Sequence, residues 1–185
     1  MQRLAAVNPA EATAKAKQLL DGVQSKMGMT PNLMKTLATA PAALDAYLQF
    51  SGSLSTGHLE PQFREQIAIA VAQTNSCEYC LSAHSMLGKM AGLNPEEIAT
   101  SRTSHSADAK RDAGLQFVQT LVVNRGQVSD QDLAKVKAVG YSDGDIAEIV
   151  ANAALNIFTN YFNNVAKTVV DFPVVPLAMK SAIGA

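Results

Sequence analysis

Apolar positions recur three and four residues apart along nearly the whole chain, and polar breaks divide that pattern into helix-length segments. Asn8-Pro9 with Glu11 carries a helix-start signature, and the pattern from there runs to about Lys26 and stops at Gly28. Thr30-Pro31 opens a short second helix through Leu33, Met34 and Leu37. Pro41 opens a third, with Leu44, Tyr47, Leu48 and Leu54 on one side. Glu60-Pro61 starts a fourth, REQIAIAVAQT, which is apolar on almost every face and is therefore expected to be enclosed by neighbours. Asn75-Ser76 breaks the chain, and a fifth helix carries Cys77, Cys80, His84, Leu87 and Met90 towards Gly92. Asn94-Pro95-Glu96-Glu97 starts the next helix, and the small polar residues from Thr100 to Ser106 read as a loop. Further helices are predicted from about Ala107 to Asn124, from Ser129 to Val139 and from Ser142 to Lys167. In the last, Ile146, Ile149, Val150, Ala153, Ile157 and Tyr161 form the expected apolar side. The final stretch, DFPVVPLAMKSAIGA, has two prolines and no helical period, so it reads as an extended arm packed on its own body or on another subunit. No strand-like alternation of useful length occurs, and the expected class is all-α.

At 185 residues the chain is the size of one domain, with 1–29 as an N-terminal helix, 30–170 as the core and 171–185 as the arm. Hydrophobic residues make up 48%, enough for a packed core. Fifteen basic residues face sixteen acidic ones, and aromatics are 5% without any Trp. That balance lacks the basic excess and the stacking platforms of a nucleic-acid binder. The longest strictly apolar run, Ile67 to Ala72, falls far short of the ~20 residues that span a bilayer. The amino-terminal residues lack a signal-peptide core, so the expected location is the cytoplasm, where cysteines are normally thiols.

The chemistry concentrates in EQIAIAVAQTNSCEYCLSAH, Glu65 to His84. On a helix, Cys77, Cys80 and His84 share one face, with the imidazole one turn from the second thiol. The free N–H groups and positive dipole end after the Asn75-Ser76 break favour thiolates there. Two thiols in one turn can close a disulfide after oxidation, so the set fits two-electron thiol redox chemistry. Glu65 lies in the most apolar helix and needs a partner. A hairpin between the fourth and fifth helices would return it to the level of Cys80 and His84, as the orienting carboxylate of a relay.

The spacing Glu-x11-Cys-x2-Cys-x3-His resembles the core of the AhpD-like alkylhydroperoxidases, within the carboxymuconolactone decarboxylase superfamily. EQIAIAVA, Asn75 and FTNYFNN are similar to its peroxidase-related branch, over roughly residues 30–175. The resemblance implies an all-helical bundle of about eight or nine helices. It also implies a hydroperoxide substrate, a Cys80 peroxidatic thiol, a Cys77 resolving thiol, and His84 with Glu65 as proton relay. Assembly as trimers or hexamers and reduction by an external thiol donor, in some members a lipoamide-bearing protein, are implied as well. No cofactor or metal is called for. Some members place a His directly before the second cysteine, where this chain has Tyr79. The alternatives are a decarboxylase-type lyase acting on a lactone, which has no need of the dithiol, and a non-catalytic redox-sensing oligomer.

Zinc on Cys77, Cys80 and His84 would need a fourth ligand from His58, His105 or a carboxylate. Covalent haem would need a His at position 81, which is Leu. His58 and His105 read as surface residues, and Met27, Met29, Met86 and Met90 as core fillers. Tyr47, Tyr141 and Tyr161 read as packing. Asn152, Asn156, Asn160 and Asn163 form a stripe along the last helix, read as solvated surface in preference to a polar cavity wall or subunit contact.

Overall fold

The computed structural model describes residues 1–177, and among them there are nine helices and no strand. They are α1 (Ala14–Met27), α2 (Asn32–Leu37), α3 (Pro41–Leu54), α4 (Pro61–Thr74), α5 (Glu78–Met90), α6 (Pro95–Ser101), α7 (Ala109–Val123), α8 (Asp130–Ala138) and α9 (Asp143–Ala166). The all-α expectation is met, with capping residues at the predicted breaks. Gly28 closes α1 in the left-handed conformation, and Asn94, Ser129 and Ser142 each form a capping box with an acid three residues on.

α4 is the axis of the molecule. Every side chain from Gln66 to Ala72 is buried, and the run from Ile67 to Ala72 is apolar on every face, as a helix enclosed by neighbours requires. Ile69 and Ala72 face one core shared with α1, α2, α3 and α5, while Phe63, Ile67, Ala70 and Val71 face a second core against α7, α8 and α9. α5 folds back along α4 as a hairpin, and α9 runs beside both.

Three expectations change. α1 begins at Ala14, not at Asn8, because Asn8 closes a local turn: its Oδ1 accepts from Ala10 N–H and its carbonyl from Glu11 N–H. Val7 N–H meanwhile donates to the Lys35 carbonyl, so the segment before α1 crosses the body as extended chain. α6 continues to Ser101, leaving turns from residue 102 onward where the loop was expected to begin at Thr100. Met27 and Met90 are exposed rather than core fillers.

The arm packs on its own body as far as it is described. Phe172 meets Tyr79 edge-on at 5.6 Å between ring centres, Val175 N–H donates to Ser82 Oγ, and the Pro176 carbonyl accepts from Arg102. Residues 178–185 of the expected arm lie outside the described residues.

Candidate functional site: a cysteine pair opening on a buried polar cavity

The turn between α4 and α5 places the first cysteine. Ser76, at φ 53°, takes the left-handed position in which a helix commonly ends. Ser76 N–H then reaches the Gln73 carbonyl and Cys77 N–H the Ala72 carbonyl, the paired bonds of a Schellman motif. Cys77 therefore ends one motif and caps the next helix. It is the N-cap of α5 rather than a residue within it, which corrects the expectation of both cysteines inside the first turn. Its sulfur accepts the Cys80 N–H at 3.2 Å, so the favourable end of the helix acts on Cys77 first.

Cys77 and Cys80 are joined as a disulfide, with their Cα atoms 5.3 Å apart, inside the usual span for such a bond. Cys77 is fully buried at 0% exposure, and Cys80 is 3% exposed. The two sulfurs differ in what they face. Cys80, and not Cys77, lines a cavity of about 220 Å³ between α3, α4, α5 and α9.

His84 and Glu65 line the same cavity, and the hairpin brings them together as expected: His84 Nδ1 lies 2.8 Å from Glu65 Oε2. Each side chain is 22% exposed, so the carboxylate has the partner its apolar helix demands while both keep access to the cavity. Opposite an ionised Glu65, Nδ1 carries the proton, which leaves Nε2 as the nitrogen available for exchange.

Tyr47, expected to be a packing residue, is a wall of this cavity and of a second, larger one of about 600 Å³ beneath α1. The two share Ser51, Glu65 and His84, so the hydrogen-bonded Glu65–His84 pair is approached from both sides. Burial, reinforced by the nearby Glu65 charge and partly offset by a hydrogen bond with Ser51, pushes the Tyr47 phenol up to about 12. It is a neutral donor throughout the physiological range. Tyr79, directly before the second cysteine, is buried. Its hydroxyl accepts the Leu33 N–H at 3.0 Å, and burial holds the phenol well above its ordinary range despite that bond. It anchors α2 to α5 and offers the site no titrating ring.

The asparagine stripe of α9 is the largest departure from expectation. Asn152, Asn156, Asn160 and Asn163 are buried, and three of them (152, 156 and 163) line the cavity. Asn163 Nδ2 donates to Cys80 Sγ at 3.3 Å, a contact across 83 residues of sequence. Asn160 Oδ1 accepts from Asn75, and Asn164 donates to the Asn75 carbonyl, which latches the cysteine turn onto α9. The reverse face of the same helix is apolar and exposed: Val150, Phe158, Tyr161 and Val165 point outward. Tyr161 is thus neither on the core side nor packed.

His58 and His105 are exposed, as expected, and lie outside the cavity; His105 pairs with Asp112 at 3.0 Å. Among the described residues no group of three or more His, Cys, Asp or Glu side chains is arranged to hold a metal ion, and no helix is long and apolar enough to cross a membrane.

Residues 41–120, which carry Glu65, both cysteines and His84, match the Carboxymuconolactone decarboxylase family. No curated protein matches the sequence. Among solved structures, the chain is similar to an uncharacterized peroxidase-related protein from Ralstonia eutropha JMP134 described as an alkylhydroperoxidase AhpD core. The TM-score is 0.82, with 24% identity over 92% of each chain. An uncharacterized peroxidase-related protein from Silicibacter sp. TM1040 gives 0.77, with 22% identity over 88% of each. The debrominase Bmp8, as a cysteine-to-alanine variant in complex with 2,3,4-tribromopyrrole, gives 0.78 with 16% identity over 92% of each. At these identities the structures speak for a shared fold. The segment across α3–α7 that holds the cysteine turn thus matches the Carboxymuconolactone decarboxylase family, and the helical bundle as a whole shares the fold of the AhpD-like peroxidase-related structures.

Proposed function

We propose that the protein is a thiol-dependent hydroperoxide reductase in which Cys80 is the peroxidatic thiol, Cys77 the resolving thiol and Glu65–His84 the proton relay. One observation carries the reading. The only sulfur of the pair that lines the cavity belongs to Cys80, and the His84–Glu65 pair lines the same cavity. The reduced Cys80 thiolate attacks the terminal oxygen of ROOH, the O–O bond breaks, and ROH leaves after receiving the proton that His84 Nε2 took from the thiol. Cys80 is then a sulfenic acid. Cys77 thiolate displaces hydroxide from it, a proton completes water, and the disulfide forms. Two external thiols return the pair to the dithiol, giving up two electrons and two protons and leaving as a disulfide. The first of them meets Cys80, the open sulfur, and Cys77 departs as a thiolate under the Cys80 N–H.

The test is thiol stoichiometry on adding cumene hydroperoxide, with and without dithiothreitol. Repeated turnover with the dithiol supports the proposal. A single oxidation without turnover points to a redox sensor, and no thiol loss points to a lyase. Bromide release from 2,3,4-tribromopyrrole faster than peroxide consumption would move the dithiol's electrons to dehalogenation.

A further inference from the structure

Arg64 is a cation in the cavity that nothing above uses. It precedes Glu65 on α4 and lines the same space as Cys80. Its Nη1 donates to the Leu54 carbonyl at 2.7 Å, at the end of α3. Its Nε is buried without any hydrogen-bond partner, and Arg64 forms no ion pair among the described residues. The neighbouring carboxylate, Glu65, is committed to His84. A guanidinium offers five donors in a planar fork suited to a carboxylate, and one helix-end carbonyl uses one of them. A partly buried cation with donors left over is costly unless something anionic completes it.

We propose that Arg64 is the anion anchor of the substrate cavity, and that the substrate is a small organic hydroperoxide bearing a carboxylate. This rests on the peroxidase reading above. The cavity, at about 220 Å³, lies below the ~300–1,000 Å³ usual for drug-sized ligands, which favours a compact molecule over a fatty-acid chain. The register sets where its two functional groups sit. Arg64 is next to Glu65, which meets His84, and His84 follows Cys80 by four residues on α5, about 6 Å of helix rise. Carboxylate and peroxide therefore belong at opposite ends of the molecule. Between them the wall supplies Leu155, Ala68 and Ala83 as apolar surface and the Asn152 and Asn156 side chains as polar edge.

The probes are 4-(2-hydroperoxypropan-2-yl)benzoate and its carboxamide, which match in size and differ in charge. With dithiothreitol as donor, the wild-type kcat/KM for the acid exceeds that for the amide by about 10- to 100-fold, the range of one charged hydrogen-bonded contact. In Arg64→Gln that ratio falls to within about threefold of one, and in Arg64→Lys a preference for the acid remains. Calorimetry with the product alcohol acid, 4-(2-hydroxypropan-2-yl)benzoate, on the disulfide form reads the site without turnover, and binding is lost in Arg64→Gln. Equal wild-type rates for acid and amide overturn the anchor while leaving the peroxidase standing. So does an acid preference that survives in folded Arg64→Gln. Binding of the alcohol acid that depends on Arg64, with no turnover of either hydroperoxide, leaves the anchor standing and removes the peroxidase. The wild-type comparison decides the matter even if Arg64→Gln fails to fold.

Discussion

Asn163→Leu isolates the contact between α9 and the reacting sulfur. The side chain is buried, its Nδ2 donates to Cys80 Sγ at 3.3 Å, and its Oδ1 has no partner. Leucine has a similar branched outline, deletes the donor and removes the orphaned acceptor at the same time. Folding stability should then change little, since replacing both poorly paired groups by apolar surface is close to neutral. The reduced site pays differently. A hydrogen bond to a charged acceptor contributes about 1.5–3 kcal/mol, and the lower figure suits a single donor to a large, diffuse sulfur. At 1.36 kcal/mol per factor of ten, the population of Cys80 thiolate at pH 7 falls about tenfold. The assay is iodoacetamide alkylation of Cys80 in a reduced Cys77→Ser background, followed by mass spectrometry between pH 5 and 9.5. The expected result is a rate about tenfold lower at pH 7 that converges on the parent rate at pH 9.5, where the thiol ionises without help. Equal rates at pH 7 refute the role of Asn163. A gap that persists at pH 9.5 also refutes it, because leucine would then be blocking access rather than withholding a bond.

Glu65→Gln and His84→Gln should each slow Cys80 alkylation and peroxide turnover by ~10²-fold or more, in line with general acid–base contributions, with a melting temperature close to the parent's; variants within about twofold between pH 6 and 8 leave Glu65 a structural carboxylate. Tyr47 titrates near 12 in the fold against 10 unfolded, so its stabilising contribution is whole below pH 10 and is lost as pH rises from 10 towards 12. Alkaline melts should show that loss, with Tyr47→Phe flattening it; a flat wild-type curve to pH 11.5 contradicts the burial argument. The outward stripe Val150, Phe158, Tyr161 and Val165 is expected to be covered by other copies of the chain, so light scattering at micromolar concentration should give a mass well above 19.5 kDa, and Tyr161→Glu with Val165→Glu should lower it.

Helix boundaries were legible wherever a break is chemically local. Gly28, Pro41, Pro61, Asn94, Ser129 and Ser142 each act through their own backbone or through a residue three positions on. The Glu65–His84 contact was legible too, because a hairpin with a short turn fixes which residues return to the same level. Asn8 misled because its side chain closes a turn as readily as it caps a helix, and Val7 N–H bonding to Lys35 settles the matter from 28 residues away. The α9 stripe misled for a deeper reason. Its periodicity was visible, but polarity was equated with solvent. This helix turns its asparagines inward to a polar cavity and its aromatics outward. Only the position of α9 beside Cys80 settles which face is inside, and nothing local to residues 142–167 encodes that. Arg64 was hidden in the same way, as one charge in a helix read for its apolar face.

The central claim is that Cys80 takes the oxygen and Cys77 resolves it. One equivalent of cumene hydroperoxide added to reduced Cys77→Ser protein, trapped with dimedone and read by peptide mass spectrometry, tests this directly. The account predicts a stoichiometric dimedone adduct on the Cys80 peptide, and no adduct on Cys77 in the reciprocal Cys80→Ser protein. An adduct on Cys77 in Cys80→Ser formed as fast as the one on Cys80, or no adduct on Cys80 at all, would contradict it.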